Sequence, residues 1–257
     1  MSRGDGIPKV RLDKLLVDKG LCQSRERARA LIMAGAVIVG ETRIDKAGAL
    51  VLTDADIRIK GADHPYVSRG GLKLQAALQF FQIDVTDLVI LDVGASTGGF
   101  TDCLLQEGAR KVYALDVGYG QLAWKLRNDP RVVVIERTNI RYFEGAGIVD
   151  PIDMATIDAS FISLTLVIPA VVKVIKDHNA AIVALIKPQF EAGRQDVEKK
   201  GVVKNPEVHK KVVEKIENFC IDLGLDIVGT CESPILGPEG NKEFFIYLRT
   251  PFRVGES

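Results

Sequence analysis

The chain has 257 residues, 47% of them hydrophobic and 26% charged, enough for one sizeable core and a small extra module. Its longest apolar stretch, LTLVIPAVV before Lys173, falls short of the roughly 20 residues of a membrane helix, and the polar start MSRGDGIPKVRLDK lacks the apolar core of an export signal, so a soluble cytoplasmic protein is expected. The formal net charge is zero, yet residues 1–73 carry 14 Lys and Arg against 9 Asp and Glu, while residues 74–257 carry 20 against 25; a basic head on an acidic body suggests a polyanionic partner for the head.

In RLDKLLVDKG, Leu12, Leu15 and Leu16 fall at i, i+3 and i+4 before Gly20, which predicts a short amphipathic helix stopping at the glycine. Ser24 is placed to cap a second helix in QSRERARALIMAG, where Ala28, Leu31 and Ile32 share a face and Gly35 follows. Arg25 and Arg29 stack one turn apart on it, and Arg27 projects elsewhere. AVIVGETRI alternates about Gly40 and Glu41, predicting a tight hairpin with Arg43 and Lys46 beyond its turn. This order of elements, with its SRERARALI helix and AGAVIVG strand, resembles the alpha-L RNA-binding domain over residues 9–60. The resemblance implies RNA as partner and Arg11, Arg25, Arg27, Arg29 and Arg43 as its contacts, since a guanidinium fork pairs with phosphates and stacks on bases; the plainer alternative is a solvated basic face. GADHPYVSRGG then reads as a linker. The expected division is 1–61 for the RNA-binding domain, 62–72 for the linker and 73–257 for a second domain.

From residue 74 apolar runs alternate with helical segments: LVILDVG, DCLLQEG, VYALDVG, VVVIERT, MATIDAS, TLVIPAVVKVI, AAIVALIKP and HKKVVEKIENFC. That pattern predicts an α/β domain with a mostly parallel sheet covered on both faces. DIVGTCESP and EFFIYLRT follow without room for a crossover helix, so an antiparallel edge is expected. Ligands of such sheets bind at the carboxyl ends of the strands.

The turn in LVILDVGASTGGF sits at such an end. Its glycines lack the GxGxxG spacing of a dinucleotide site, and Phe100 and Thr101 follow where a phosphate loop needs Lys-Ser/Thr. What remains is a carboxylate, Asp92, a backbone opened by Gly94, Ser96, Gly98 and Gly99, and a second strand ending in Asp116. Asp116 is placed to accept both ribose hydroxyls, and Asp92 to hold a cationic amino-acid end. Asn139 in ERTNIR faces an adenine ring or forms a turn. The set resembles a Rossmann-like S-adenosylmethionine-dependent methyltransferase, which implies S-adenosylmethionine as methyl donor.

Four more charged residues occur where strand ends converge or the linker arrives: Lys73 in SRGGLKL, Asp158 in TIDASFISL, Lys187 in LIKPQFEAG and Glu243 in GNKEFF. Taken with the Asp92 loop they resemble the Lys-Asp-Lys-Glu tetrad of FtsJ-like ribose 2′-O-methyltransferases. The run VSRGGLKL, DVGASTGGFTDCLL, ALDVGYGQL, RTNIR, DASFISL, LIKPQFE and GPEGNKEFF is similar to the TlyA family over nearly the whole chain. That resemblance implies 2′-O-methylation of ribosomal RNA, within ribosomal subunits, by an enzyme whose relatives often carry the label hemolysin. Glu239 lies close enough to Glu243 to compete for the last place.

A ribose hydroxyl is a poor nucleophile at neutral pH, so a group must take its proton or stabilise the alkoxide while the oxygen lines up with the donor methyl. Lys187 is the candidate in either form, with Asp158 and Glu243 positioning and compensating the two lysines. Individually, Lys187 also reads as an exposed strand-end lysine and Asp158 as a helix cap. The Asp/Asn-Pro-Pro-aromatic motif of exocyclic-amine methyltransferases is replaced by Asp158-Ala159-Ser160-Phe161, and Cys22, Cys103, Cys220 and Cys231 offer no well-placed nucleophile. Those cysteines form no CxxC, and His64, His178 and His209 lack ligand spacing, so no disulfide and no metal is expected. A membrane-active hemolysin and a non-catalytic RNA-binding assembly factor are the rival readings.

Overall fold

The computed structural model describes residues 8–22, 24–59, 64–175, 179–199 and 201–251. The chain forms two compact units, Met1–Pro65 and Tyr66–Ser257.

The first unit runs β1 (Lys9–Arg11), α1 (Leu12–Asp18), α2 (Arg25–Met33), β2 (Val37–Val39), β3 (Thr42–Ile44), β4 (Leu50–Leu52) and β5 (Ile57–Ile59). Leu12, Leu15 and Leu16 turn one stripe of α1 onto Ala28 and Ile32 of α2, with Val37 and Val51 completing the core. Ser24 caps α2, its Oγ accepting the Arg27 backbone N–H at 3.2 Å, as the sequence predicts. The hairpin closes with Val39 opposite Thr42 and Gly40 at φ 59°. β5 covers the other side of β2, and β1 pairs with β4. The sequence reading missed β1, β4 and β5, three-residue strands without the tight turn that marks the β2–β3 hairpin.

The second unit runs α3 (Gly70–Phe81), β6 (Val89–Val93), α4 (Gly99–Gln106), β7 (Lys111–Leu115), α5 (Trp124–Arg127), β8 (Val132–Ile135), β9 (Met154–Ile157), α6 (Leu164–Ile175), β10 (Ala181–Ile186), α7 (Pro188–Glu191), α8 (Pro206–Asp222), β11 (Asp226–Glu232) and β12 (Phe244–Arg249). Its seven strands lie in the order β11-β12-β10-β9-β6-β7-β8. The pairings among β10, β9, β6, β7 and β8 are parallel. β12 runs against both β10 and β11, so the expected antiparallel pairing is present, with the reversed strand one place in from the edge. Val89, Leu91 and Val93 of β6 face α6 and α8, whereas Ile90 faces α3 and α4. Both faces are therefore dry, and β6, β9 and β10 are buried along their whole length.

Of the expected linker, residues 66–72 belong to the second unit, and residues 62 and 63 lie outside the described residues. Tyr66 is buried, and a Cβ on Gly71 would stand 2.2 Å from its side chain. Val67 donates its N–H to Asp102 Oδ2 at 2.7 Å. The glycines that read as linker instead let α3 begin in close contact with this segment.

Candidate active site

The glycine turn leaves β6 with Gly94 at φ 84°, Ser96 at 50° and Gly98 at 95°. A Cβ on Gly94 would lie 2.7 Å from the Asp158 carbonyl oxygen, and one on Gly99 2.2 Å from Ser68 Oγ. Bare backbone is thus required at both places. Asp116, just beyond β7, accepts the Ser96 N–H on Oδ2 at 2.8 Å and the Gly118 N–H on Oδ1 at 2.6 Å. Each oxygen keeps a second lone pair for a hydroxyl. Gly94, Ser96 and Asp116 open onto a cleft of about 1310 Å³ whose lining also includes Leu115, Asn139 and Val167; Gly99 lines the smaller pocket beside it, and Gly98 lines neither, packing on Leu122 and Leu126. Asn139 forms the turn, its Oδ1 accepting the Arg141 N–H at 3.1 Å, and it lines the cleft.

Asp92 is placed differently from the expectation. Its side chain shares the face of β6 occupied by Ile90 and lies beneath α4, fully buried. Thr101 donates to its Oδ2 at 2.6 Å and Thr156 to its Oδ1 at 3.0 Å. It lines neither the cleft nor the neighbouring pocket. Burial pushes its carboxyl up to about 6, against the opposing pull of the two hydroxyls. It supports the turn from below and is not positioned to grip a ligand.

Lys73, Asp158, Lys187 and Glu243 do come together. They line a pocket of about 260 Å³ with Gly94, Ser96 and Gly99, and Gly94, Ser96 and Asp158 also belong to the large cleft. Lys73 reaches in from α3, with Nζ 2.6 Å from Glu243 Oε2. Lys187, one residue past β10, sets Nζ 2.6 Å from Asp158 Oδ1, one residue past β9. Glu243 arrives from the opposite direction, one residue ahead of β12, and is fully buried. Glu239 is exposed on a turn at φ 55°, so the buried place belongs to Glu243. Within the four, two carboxyl groups pair with two lysines in partial seclusion from water, and Arg69 also lines the pocket. Asp158 Oδ1 and Glu243 Oε1 are nevertheless buried without a hydrogen-bond donor among the described residues, and buried acceptors in that condition call for a functional account.

Two participants escaped the sequence reading. Ser160 Oγ accepts a hydrogen bond from Lys187 Nζ at 2.7 Å. Buried Glu191 accepts from the Leu164 N–H at 2.6 Å and from Ser163 Oγ at 2.7 Å, tying the loop that carries Asp158 to the one that carries Lys187. Both residues sit inside the DASFISL and KPQFE stretches, but nothing local marks a partner 27 or 28 residues away. The cleft rim also carries exposed Phe161, its ring 5.0 Å from that of Phe190.

In the first unit, buried Asp13 accepts from Arg11 Nε and Nη2 at 3.0 and 2.9 Å and from Arg25 Nη2 at 3.0 Å. The Arg11 pair holds its carboxyl well below the usual range. Both guanidinium groups remain about half exposed. Arg27 meets His64, Arg43 packs over Gly35 and donates to the Ala34 carbonyl at 3.4 Å, and Arg29 is exposed. The four cysteines are unpaired by disulfides. Among the described residues, no cluster of three His, Cys, Asp or Glu has metal-binding geometry, and no helix is long and apolar enough to cross a membrane.

Comparison with known proteins places an FtsJ-like methyltransferase model on residues 66–250 and an S4 domain model on residues 10–57. The chain is 46% identical to a Mycobacterium tuberculosis protein named 16S/23S rRNA (cytidine-2′-O)-methyltransferase TlyA, over 94% of this chain and 90% of the other. It is 41% identical to Hemolysin A of Brachyspira hyodysenteriae, over 93% and 99%. A solved Streptococcus thermophilus structure superposes with a TM-score of 0.74 at 44% identity, covering 96% of this chain and 90% of that one.

Proposed function

The chain belongs to the FtsJ-like methyltransferase family, and from that premise we propose that it methylates a ribose 2′-hydroxyl of ribosomal RNA, within ribosomal subunits in the cytoplasm. One observation carries the reading: Lys73, Asp158, Lys187 and Glu243 converge on a pocket that shares Gly94, Ser96 and Asp158 with a cleft roomy enough for a nucleoside. The cleft fits S-adenosylmethionine in its chemistry. Gly94 leaves room for close backbone approach, Asp116 has acceptor capacity for ribose hydroxyls, and Leu115, Ile140 and Val167 give apolar walls. When bound, that donor supplies a methyl group activated on a sulfonium.

The rest is done by side chains of this protein. Lys187 Nζ handles the proton of the attacking hydroxyl, and Asp158 and the Lys73–Glu243 pair set the field in which the oxygen gains charge. The carboxylates of Asp158 and Glu243 hold the two lysines by charge, at 2.6 Å in each pair. In the S4 domain, Arg11, Arg25, Arg27, Arg29 and Arg43 hold the RNA through its phosphates. Part of that binding free energy offsets the cost of drawing the target nucleotide out of its stack.

Transfer of tritiated methyl from S-adenosylmethionine to ribosomal subunits from cells lacking the protein, followed by mapping of alkali-resistant positions, tests the proposal. Wild-type protein is expected to label one or a few riboses, and Lys187→Ala to retain donor binding with no transfer. Transfer by Lys187→Ala near the wild-type rate would overturn the assignment. Donor-independent leakage of dye from vesicles, with no methyl transfer, would favour the membrane-active reading instead.

A further inference from the structure

Among the described residues, Lys187 Nζ has two polar neighbours, and they are not equivalent. Asp158 Oδ1 stands 2.6 Å away but outside hydrogen-bond geometry, since that oxygen has no hydrogen-bond donor. Ser160 Oγ, at 2.7 Å, does accept an N–H from Nζ. The carboxylate therefore attracts the lysine as a charge without fixing the direction of its hydrogens. Direction comes from the serine. Ser160 is two residues beyond Asp158 and lines the large cleft, while Lys187 and Asp158 line the pocket beside it. Lys187 has four side-chain torsions to restrain, and its backbone sits at the start of the short helix α7 without a side-chain cap bond of its own.

We propose that Ser160 is a positioning residue for the methyl transfer, acting through Lys187. By taking one N–H it fixes the rotation of the Nζ group, so that another tetrahedral position faces the pocket in which the ribose hydroxyl sits, with the Asp158 charge alongside. The role holds whether Nζ is an amine, which keeps one N–H for Ser160 and turns its lone pair to the substrate, or an ammonium, which keeps one N–H for Ser160 and offers another. Nothing is consumed or formed at Ser160. The proposal rests on Lys187 being the group that handles the hydroxyl, as given above.

The test compares Ser160→Ala, Ser160→Thr and Lys187→Ala in the full chain, with ribosomal subunits as methyl acceptor. Ser160→Ala is expected to lower kcat by about ten- to hundredfold, the range that misplacement of a reacting group by an ångström produces. KM for S-adenosylmethionine and for subunits should stay within about twofold. Ser160→Thr, which keeps the hydroxyl, is expected to recover most of kcat. Ser160 is exposed on a loop, and an unchanged thermal midpoint for both variants separates the effect from misfolding. Should Ser160→Ala turn over like the wild type while Lys187→Ala is dead, positioning by Ser160 is refuted and the site assignment stands. Should Lys187→Ala remain active, the site assignment itself falls. A rise in KM at constant kcat, or failure of Ser160→Thr to recover, would assign the hydroxyl to binding or local packing and also refute the proposal.

Discussion

Replacing Asp92 by Asn removes a carboxylate that the fold holds in an unfavourable medium. Its carboxyl titrates at about 6 in the folded protein against an ordinary 3.8, and it is fully buried, so solvent screening gives no discount. A raised carboxylate favours folding while protonated, so its contribution is fully present below pH 3.8 and is lost as pH rises through about 6. At about 1.4 kcal/mol for each unit of displacement, the ionised form costs on the order of 3 kcal/mol above that range. Roughly half of that loss falls between about pH 5 and about pH 8. Asn keeps the shape, and the Thr101 and Thr156 hydroxyls can pair with it, one donating to its carbonyl oxygen and the other accepting from its amide. Any penalty from that exchange is the same at both pH values. The stability of Asp92→Asn relative to wild type should therefore be greater at about pH 8 than at about pH 5, by roughly 1 to 1.5 kcal/mol. Urea denaturation followed by circular dichroism, without donor, measures this. A difference that is constant with pH, or that shrinks as pH rises, would show that burial does not govern Asp92.

Lys73→Met strands the buried Glu243 carboxylate and should cost about 3 to 5 kcal/mol in denaturation experiments, with Glu243→Gln on top recovering most of it. Gly94→Ala puts a methyl 2.7 Å from the Asp158 carbonyl at φ 84°; calorimetry should find S-adenosylhomocysteine bound at least about tenfold more weakly, from a backbone cost of about 1 to 3 kcal/mol. Arg25→Ala combined with Arg29→Ala should weaken RNA binding and flatten its salt dependence by about one ion per lost phosphate contact, with donor binding intact. Equal loss of both affinities would point to a folding defect.

Lys73, on α3, and Glu243, ahead of β12, were picked out by resemblance to the tetrad, but the sheet, Asp158 and Lys187 were legible because each is announced locally. An apolar run ends, and a charge or a glycine turn follows at the strand end. Asp92 was misplaced for the opposite reason. A strand covered on both faces is apolar throughout, so the sequence does not say which side its one carboxylate enters, and the hydroxyls that hold it sit 9 and 64 residues away. Tyr66 was read as linker because Gly and Pro surround it, although the missing side chain of Gly71 is what admits its ring. The antiparallel end of the sheet followed from a short connection, but the insertion of β12 ahead of β11 depends on pairings that no local pattern encodes. Arg11 and Arg25 were visible as basic residues, and their shared acceptor Asp13 was not, because it arises only when β1, α1 and α2 fold together.

The reversed strand has one more effect. Ile186 pairs with Phe244, so Lys187, leaving one strand, and Glu243, entering the other, flank the same rung of the ladder. A slip of one residue in β12 would turn Glu243 to the opposite face of the sheet and leave two cations with a single anion between them. The charge balance among these four side chains is thus a matter of strand registration, maintained by main-chain hydrogen bonds that never meet a substrate.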